Sequence, residues 1–138
     1  MSVTRVKQSA VISQPHDALW AKVLAMDFTW WNIVQRAESA GCPQAVNNTI
    51  KLTFRDGAAW TIRVTTLSCE EKVLEFEVLE STPDYHCSAA VHHIQLHEVT
   101  MTKQTLFVWR TDFSSDVTAN AIEDSKFKKL EAFAALLR

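Results

Sequence analysis

Thr49-Ile50-Lys51-Leu52-Thr53-Phe54-Arg55-Asp56-Gly57-Ala58-Ala59-Trp60-Thr61-Ile62-Arg63-Val64-Thr65 is the stretch on which the reading of the fold turns. Ile50, Leu52 and Phe54 alternate with Lys51, Thr53 and Arg55, and Trp60, Ile62 and Val64 alternate with Thr61, Arg63 and Thr65. Successive strand side chains point to opposite faces, so each run has one apolar and one polar face. Between the runs, Arg55-Asp56-Gly57 supplies the turn chemistry of a hairpin. The segment predicts two antiparallel strands of a sheet that is buried on one side and wet on the other.

The period of two extends outward in both directions. Leu74, Phe76 and Val78 alternate with Glu75, Glu77 and Leu79 after a turn around Ser68 to Lys72. A strand from about Ser88 to Val99 puts Ala90, His92, Ile94 and Leu96 on one face, and Gln104 to Phe113 does the same for Thr105, Phe107, Trp109, Thr111 and Phe113. Upstream, Val34, Arg36 and Glu38 alternate with Ile33, Gln35 and Ala37, where either parity is compatible with a buried face. Strands at this spacing make an antiparallel meander, with Lys51, Arg55, Arg63, Glu75, Glu77, Gln95 and Arg110 on its wet side.

Ahead of the meander, Val3 to Ile12 reads as a strand ended by Ser13-Gln14-Pro15. A helix is expected next, with Ser13 as N-cap, Pro15 in the first turn and Leu19, Trp20, Val23 and Leu24 as its apolar stripe. Asp27 to Trp31 reads as a second short helical turn capped by Asp27, with Phe28, Trp30 and Trp31 crowded together. After the meander, Ser114-Ser115-Asp116 opens a long amphipathic helix, roughly Asp116 to Arg138. Its apolar stripe, Ile122, Phe127, Leu130, Phe133 and Leu137, is expected to face Trp60, Phe76, Trp109 and Phe113 across the sheet.

Composition narrows the function classes. The chain has 138 residues, 47% of them hydrophobic, which suits one domain spanning 1–138 with its own core. Fourteen basic and 16 acidic residues are mixed along the length for a net charge of -2, so no basic stripe is available for nucleic acid. No apolar run reaches the ~18 residues of a membrane span or has the form of a signal peptide. Cys42, Cys69 and Cys87 are an odd set with no CxxC spacing, suggesting neither a disulfide framework nor a zinc ribbon. A cytoplasmic setting fits best, and no cofactor is expected.

Ser13-Gln14-Pro15-His16-Asp17-Ala18-Leu19-Trp20, Asp27-Phe28-Thr29-Trp30-Trp31, Lys51 to Gly57 and Gln104 to Phe113 together, in that order, carry a family resemblance. The chain resembles the START-like or SRPBCC superfamily, which includes the pollen-allergen, polyketide-cyclase/dehydrase-like and abscisic-acid-receptor branches. The resemblance implies an α+β helix-grip fold of order β-α-α-β6-α, with a curved antiparallel sheet of about seven strands wrapped around the long C-terminal helix. It implies binding, transfer, cyclase or chaperone-cofactor functions without choosing among them. Two departures bear on the choice. Many cyclase-like members place Gly and then Arg at the start of the third strand, where this chain reads Asn47-Asn48-Thr49-Ile50, and the gating loops of the hormone receptors have no counterpart in Arg55 to Gly57 or Ser81 to Ser88.

The candidate site is therefore read from the inward face. Trp60, Phe76, Trp109 and Phe113 would form an apolar wall, Phe133 the lid, and His92, Glu38 or Tyr85 the polar contacts to a small hydrophobic ligand. A metal site is not expected: His92 and His93 point to opposite faces, and His93 and His97 lie roughly 13 Å apart at ~3.3 Å per residue. Three functions follow. The first is non-catalytic binding or transport of a small hydrophobic molecule. The second is a cyclase-, dehydratase- or hydrolase-like reaction with His92 and Glu38 as acid and base. The third is a protein-binding module marked by an exposed apolar patch on the outside of the sheet or at the Trp30-Trp31 turn. The oligomeric state is not legible in the residues.

Overall fold

Seven strands lie in one antiparallel sheet of order β1-β7-β6-β5-β4-β3-β2 in the computed structural model, which describes residues 3–39, 41–42, 45–83, 87 and 89–137. The strands are β1 (Val3–Ile12), β2 (Val34–Ser39), β3 (Thr49–Phe54), β4 (Ala59–Ser68), β5 (Val73–Thr82), β6 (Ala90–Val99) and β7 (Gln104–Ser114). Helix α1 (His16–Leu24) joins β1 to the far edge of the sheet, and α2 (Ala119–Leu136) follows β7. This is a helix-grip fold.

The hairpin from Ile50 to Val64 forms as read. Leu52 opposes Trp60 and Ile50 opposes Ile62, and all four are buried, while Lys51 and Arg63 are exposed. Gly57 takes φ +91° at the turn, where a side chain would be strained, and Asp56 Oδ1 accepts the Ala58 N–H at 2.9 Å. The inward face of β7 is buried throughout, from Thr105 to Phe113.

Three expectations are corrected. Helix α1 has Pro15, not Ser13, as its N-cap, without a side-chain cap bond. The second short helix does not form: Met26 and Phe28 take φ +58° and +55°, a left-handed conformation that no continuing right-handed helix admits. The segment runs instead as linked turns, Trp31 N–H to Phe28 carbonyl and Val34 N–H to Trp31 carbonyl at 3.0 Å each. Asp27 still works locally, accepting from the Thr29 N–H and hydroxyl. Strain of ~1–3 kcal/mol per such residue is offset by burying Phe28, Trp30 and Trp31, all at most 5% exposed. The order is thus β-α-β6-α among the described residues.

The last helix begins later and turns further than its hydrophobic pattern suggested. Thr118 is the N-cap, accepting the Ala121 N–H at 3.2 Å, rather than Ser114 to Asp116. Its buried residues are Ser125, Lys129, Ala132, Phe133 and Leu136. Phe127, Leu130 and Leu137 are 58%, 51% and 56% exposed and do not face the sheet. The reason is angular: at about 100° per residue, Ile122, Lys129 and Phe133 share a face, whereas Phe127 lies roughly 140° round from Ile122. The apolar residues of α2 therefore fall on two faces, and the inner one carries a serine and a lysine.

Candidate functional site beneath the last helix

Strand alternation turns His92 inward between Ala90 and Ile94, and it is 1% exposed. Its cross-strand neighbours are Phe76 on β5 and Thr111 on β7. The Phe76 ring stacks on the imidazole at 4.8 Å with a 9° interplanar angle. Trp109 donates its Nε1–H to His92 Nδ1 at 3.0 Å, and Thr111 Oγ1 lies 2.9 Å from the same nitrogen. An indole nitrogen can only donate, so Nδ1 is the unprotonated nitrogen and Thr111 donates to it as well. The imidazole proton then sits on Nε2, which is buried and has no hydrogen-bond partner among the described residues. Burial first, and then the nearby Lys129 and Lys128, push the His92 pKa well below the ordinary imidazole value, so the ring is neutral.

Opposite this group, α2 places Ser125 and Lys129 at i, i+4 on its inner face. Lys129 is 1% exposed; its Nζ donates to Ser125 Oγ at 2.6 Å and stands 5.3 Å from the centre of the Trp109 ring. Burial, assisted by Lys128 and opposed by Asp124, lowers its pKa from 10.5 to about 7. Lys128 forms an ion pair with Asp124 and lies 5.8 Å from the ring centres of both Phe54 and Trp60. No expectation drawn from the sequence included Lys129, Ser125 or Lys128. The signal was the spacing Ser125-x-x-x-Lys129 on the same face as Phe133.

Aromatic rings surround the polar pair. Trp31 meets Trp109, Phe54 and Trp60 edge-on at 4.8, 5.4 and 5.7 Å. Trp60 lies 5.4 Å from His92, and Phe107 packs edge-on against Phe133 at 5.3 Å. The turn that stands where a second helix was expected thus sets Trp31 against the inner face of the sheet. Among the described residues, two recesses flank α2. One of about 350 Å³ lies among Gln14, Lys22, Thr29, Trp30, Asn32 and Leu136. The other, about 250 Å³, lies where the β3–β4 hairpin meets the helix, among Ile33, Phe54, Asp124, Phe127 and Lys128, and shares Phe54 and Lys128 with the aromatic cluster.

Of the expected site residues, Trp60, His92, Trp109 and Phe76 come together, and Phe133 joins them through Phe107. Phe113 does not: it packs in a separate cluster with Val6 and Ala90, against Val117 and Ile122. Tyr85, like His86, lies outside the described residues. Glu38 is on the outside. A register shift between Val34 and Arg36 turns Val34 and Ala37 toward the core and Glu38 to solvent, where it pairs with Arg36 at 2.9 Å. Four strand steps separate β2 from β6, roughly 19 Å at ~4.8 Å per step, so Glu38 and His92 cannot act as an acid–base pair on one substrate. His93 bonds Glu75 at 3.0 Å on the other face of β6, and His97 is exposed. Among the described residues, no three His, Cys, Asp or Glu side chains gather as metal ligands would.

No protein-family model and no curated protein matches the sequence. Solved structures do match over nearly the whole chain. A protein from Nitrosospira multiformis is 18% identical with a TM-score of 0.84, over 97% of this chain and 94% of its own. Major latex-like protein 151 of Panax ginseng is 14% identical with a TM-score of 0.76, over 97% and 95%. Ara h 8.0201 is 12% identical with a TM-score of 0.78, over 98% and 95%. At these identities the likeness is one of fold.

Proposed function

We propose that the protein binds a small hydrophobic molecule in the space between the sheet and α2, in the cytoplasm and without a reaction of its own. Trp60, Phe76, Trp109 and Phe133 supply the apolar wall and His92 the orienting contact, with Tyr85 as a further contact. One observation carries the reading: the His92 Nε2–H is a fixed donor, buried inside an aromatic shell and without a partner. A buried donor left unmade costs about 1–3 kcal/mol, and a ligand oxygen would remove that cost. An apolar interior with a few placed polar groups is the usual make-up of a small-molecule site. Three cysteines without CxxC spacing support the cytoplasmic setting.

The test is native mass spectrometry with a thermal-shift screen of lipids, flavonoids and polyketide-like aromatics. Saturable one-to-one binding that raises the melting temperature is expected. Absence of any binder across the panel overturns the proposal.

A second reading has its own observation. Phe127, Leu130 and Leu137 stand exposed along the outer side of α2, a surface of the kind that protein-binding modules present. Capture of a specific partner that is lost in a Leu130→Glu variant would favour it.

A further inference from the structure

We propose that the ligand accepted beneath α2 is a small amphipathic carboxylate whose head group is received by Lys129 Nζ and His92 Nε2–H. This rests on the binding function proposed above and names its ligand class.

The polar groups buried around Trp109 are out of balance. The His92 Nε2–H has no acceptor, because Trp109 and Thr111 fix the imidazole by donating to its other nitrogen. Among the described residues Lys129 Nζ has one acceptor, the neutral Ser125 hydroxyl, and no carboxylate. Asp124, the acid one turn before it, is bound to Lys128. Two donors, one of them a potential cation, therefore lie among aromatic rings with no anion among the described residues to match them. A neutral carbonyl or hydroxyl would satisfy His92 and leave the lysine charge unpaired in an apolar setting. A phosphate would bring more charge and more oxygens than one lysine and one imidazole can meet. A carboxylate accepts only, has two oxygens and carries one charge, which matches both donors and the single ammonium. The apolar remainder of the ligand would lie against the rings of Trp60 and Phe76, whose centres are 5.4 and 4.8 Å from the His92 ring.

A consequence distinguishes this ligand class from any neutral one. Lys129 loses its proton around pH 7 in the unliganded protein, and a bound carboxylate favours the charged form, so binding above pH 7 takes up a proton. The titratable groups that act on Lys129 leave this sign intact. His92 on β6 is neutral, Lys128 opposes charging, and Asp124 favours it.

The experiment is calorimetry on the full chain at pH 8, in two buffers of different ionisation heat. The probes are octanoate and 3-phenylpropionate, each against its alcohol, octan-1-ol and 3-phenylpropan-1-ol. At least one acid should bind about 10- to 100-fold tighter than its alcohol, with proton uptake approaching about one per ligand. In Lys129→Met both the preference and the uptake should disappear while the alcohol still binds, which shows the fold is kept. Lys129→Gln serves as the second variant should the first not fold. Equal affinity for acid and alcohol, or uptake that persists in the variants, overturns the carboxylate inference and leaves the binding function standing. Binding of neither class, together with an empty screen, removes both.

Discussion

Replacing Lys129 by methionine should make the unliganded protein more stable, and by an amount that depends on pH. The methionine chain keeps most of the stem that lies along Trp109 and removes the buried amine. In the folded protein Lys129 titrates at about 7 against 10.5 for a free side chain. At ~1.4 kcal/mol per pH unit, that gap sets a ceiling of about 5 kcal/mol on the penalty below pH 7. Relaxation of the surroundings leaves roughly half of such a ceiling, and losing the bond to Ser125 takes back about 1 kcal/mol. A net gain of about 1–2 kcal/mol at pH 6 is expected, worth a few degrees in melting temperature. The folded pKa lies below the unfolded one, so the unfolded chain holds more protons between pH 7 and 10.5. Wild-type stability therefore rises with pH across that window from this group, and the advantage of the variant shrinks over the same range. Urea denaturation followed by tryptophan fluorescence at pH 6, 8 and 10 measures it. A variant that is destabilised at pH 6, or whose difference from wild type is the same at all three values, refutes the reasoning.

Other outcomes follow from the packing. Phe133→Ala should cost about 3–5 kcal/mol and Leu130→Ala within about 0.5 kcal/mol, since only the first side chain lies under the helix; denaturation midpoints decide between them. Thr118→Ala should cost about 1 kcal/mol through the lost cap to Ala121, seen as a lower midpoint with an unchanged urea slope. His92→Leu leaves the Trp109 and Thr111 donors without an acceptor and should cost about 1–3 kcal/mol, whereas Glu38→Gln should leave both stability and ligand affinity where they were.

The sheet was legible because its signal is local. The alternation from Ile50 to Val64 and from Thr105 to Phe113 matches the burial residue by residue, and Asp56-Gly57 marks its own turn. The rest depended on features that composition hides. Nothing in Met26 or Phe28 advertises a left-handed backbone, since neither is glycine, and the conformation persists only because the tertiary packing buries the aromatics beside it. The register shift after Val34 is one residue of irregularity that decides which way Glu38 points. Lys129 was overlooked because a lysine in an amphipathic pattern reads as a solvent residue, although its four-carbon stem packs like an aliphatic chain. His92 was found because the face it shares with Ile94 and Leu96 had to point inward.

The strand order has a consequence for how the chain acquires its shape. Each of β3, β4, β5 and β6 lies beside strands adjacent to it in sequence, so hairpin by hairpin the sheet can grow from local contacts. The first strand is the exception: among the described residues β1 pairs with β7 alone, Val3 with Ser114 and Ile12 with Thr105. During synthesis it leaves the ribosome ahead of the other six strands and has no mate until they have followed. Its docking closes a loop of some hundred residues, the costliest closure in the sheet. The edge strand formed earliest as polymer is thus expected to be the last formed as structure, leaving β7 with an open flank in the incomplete protein.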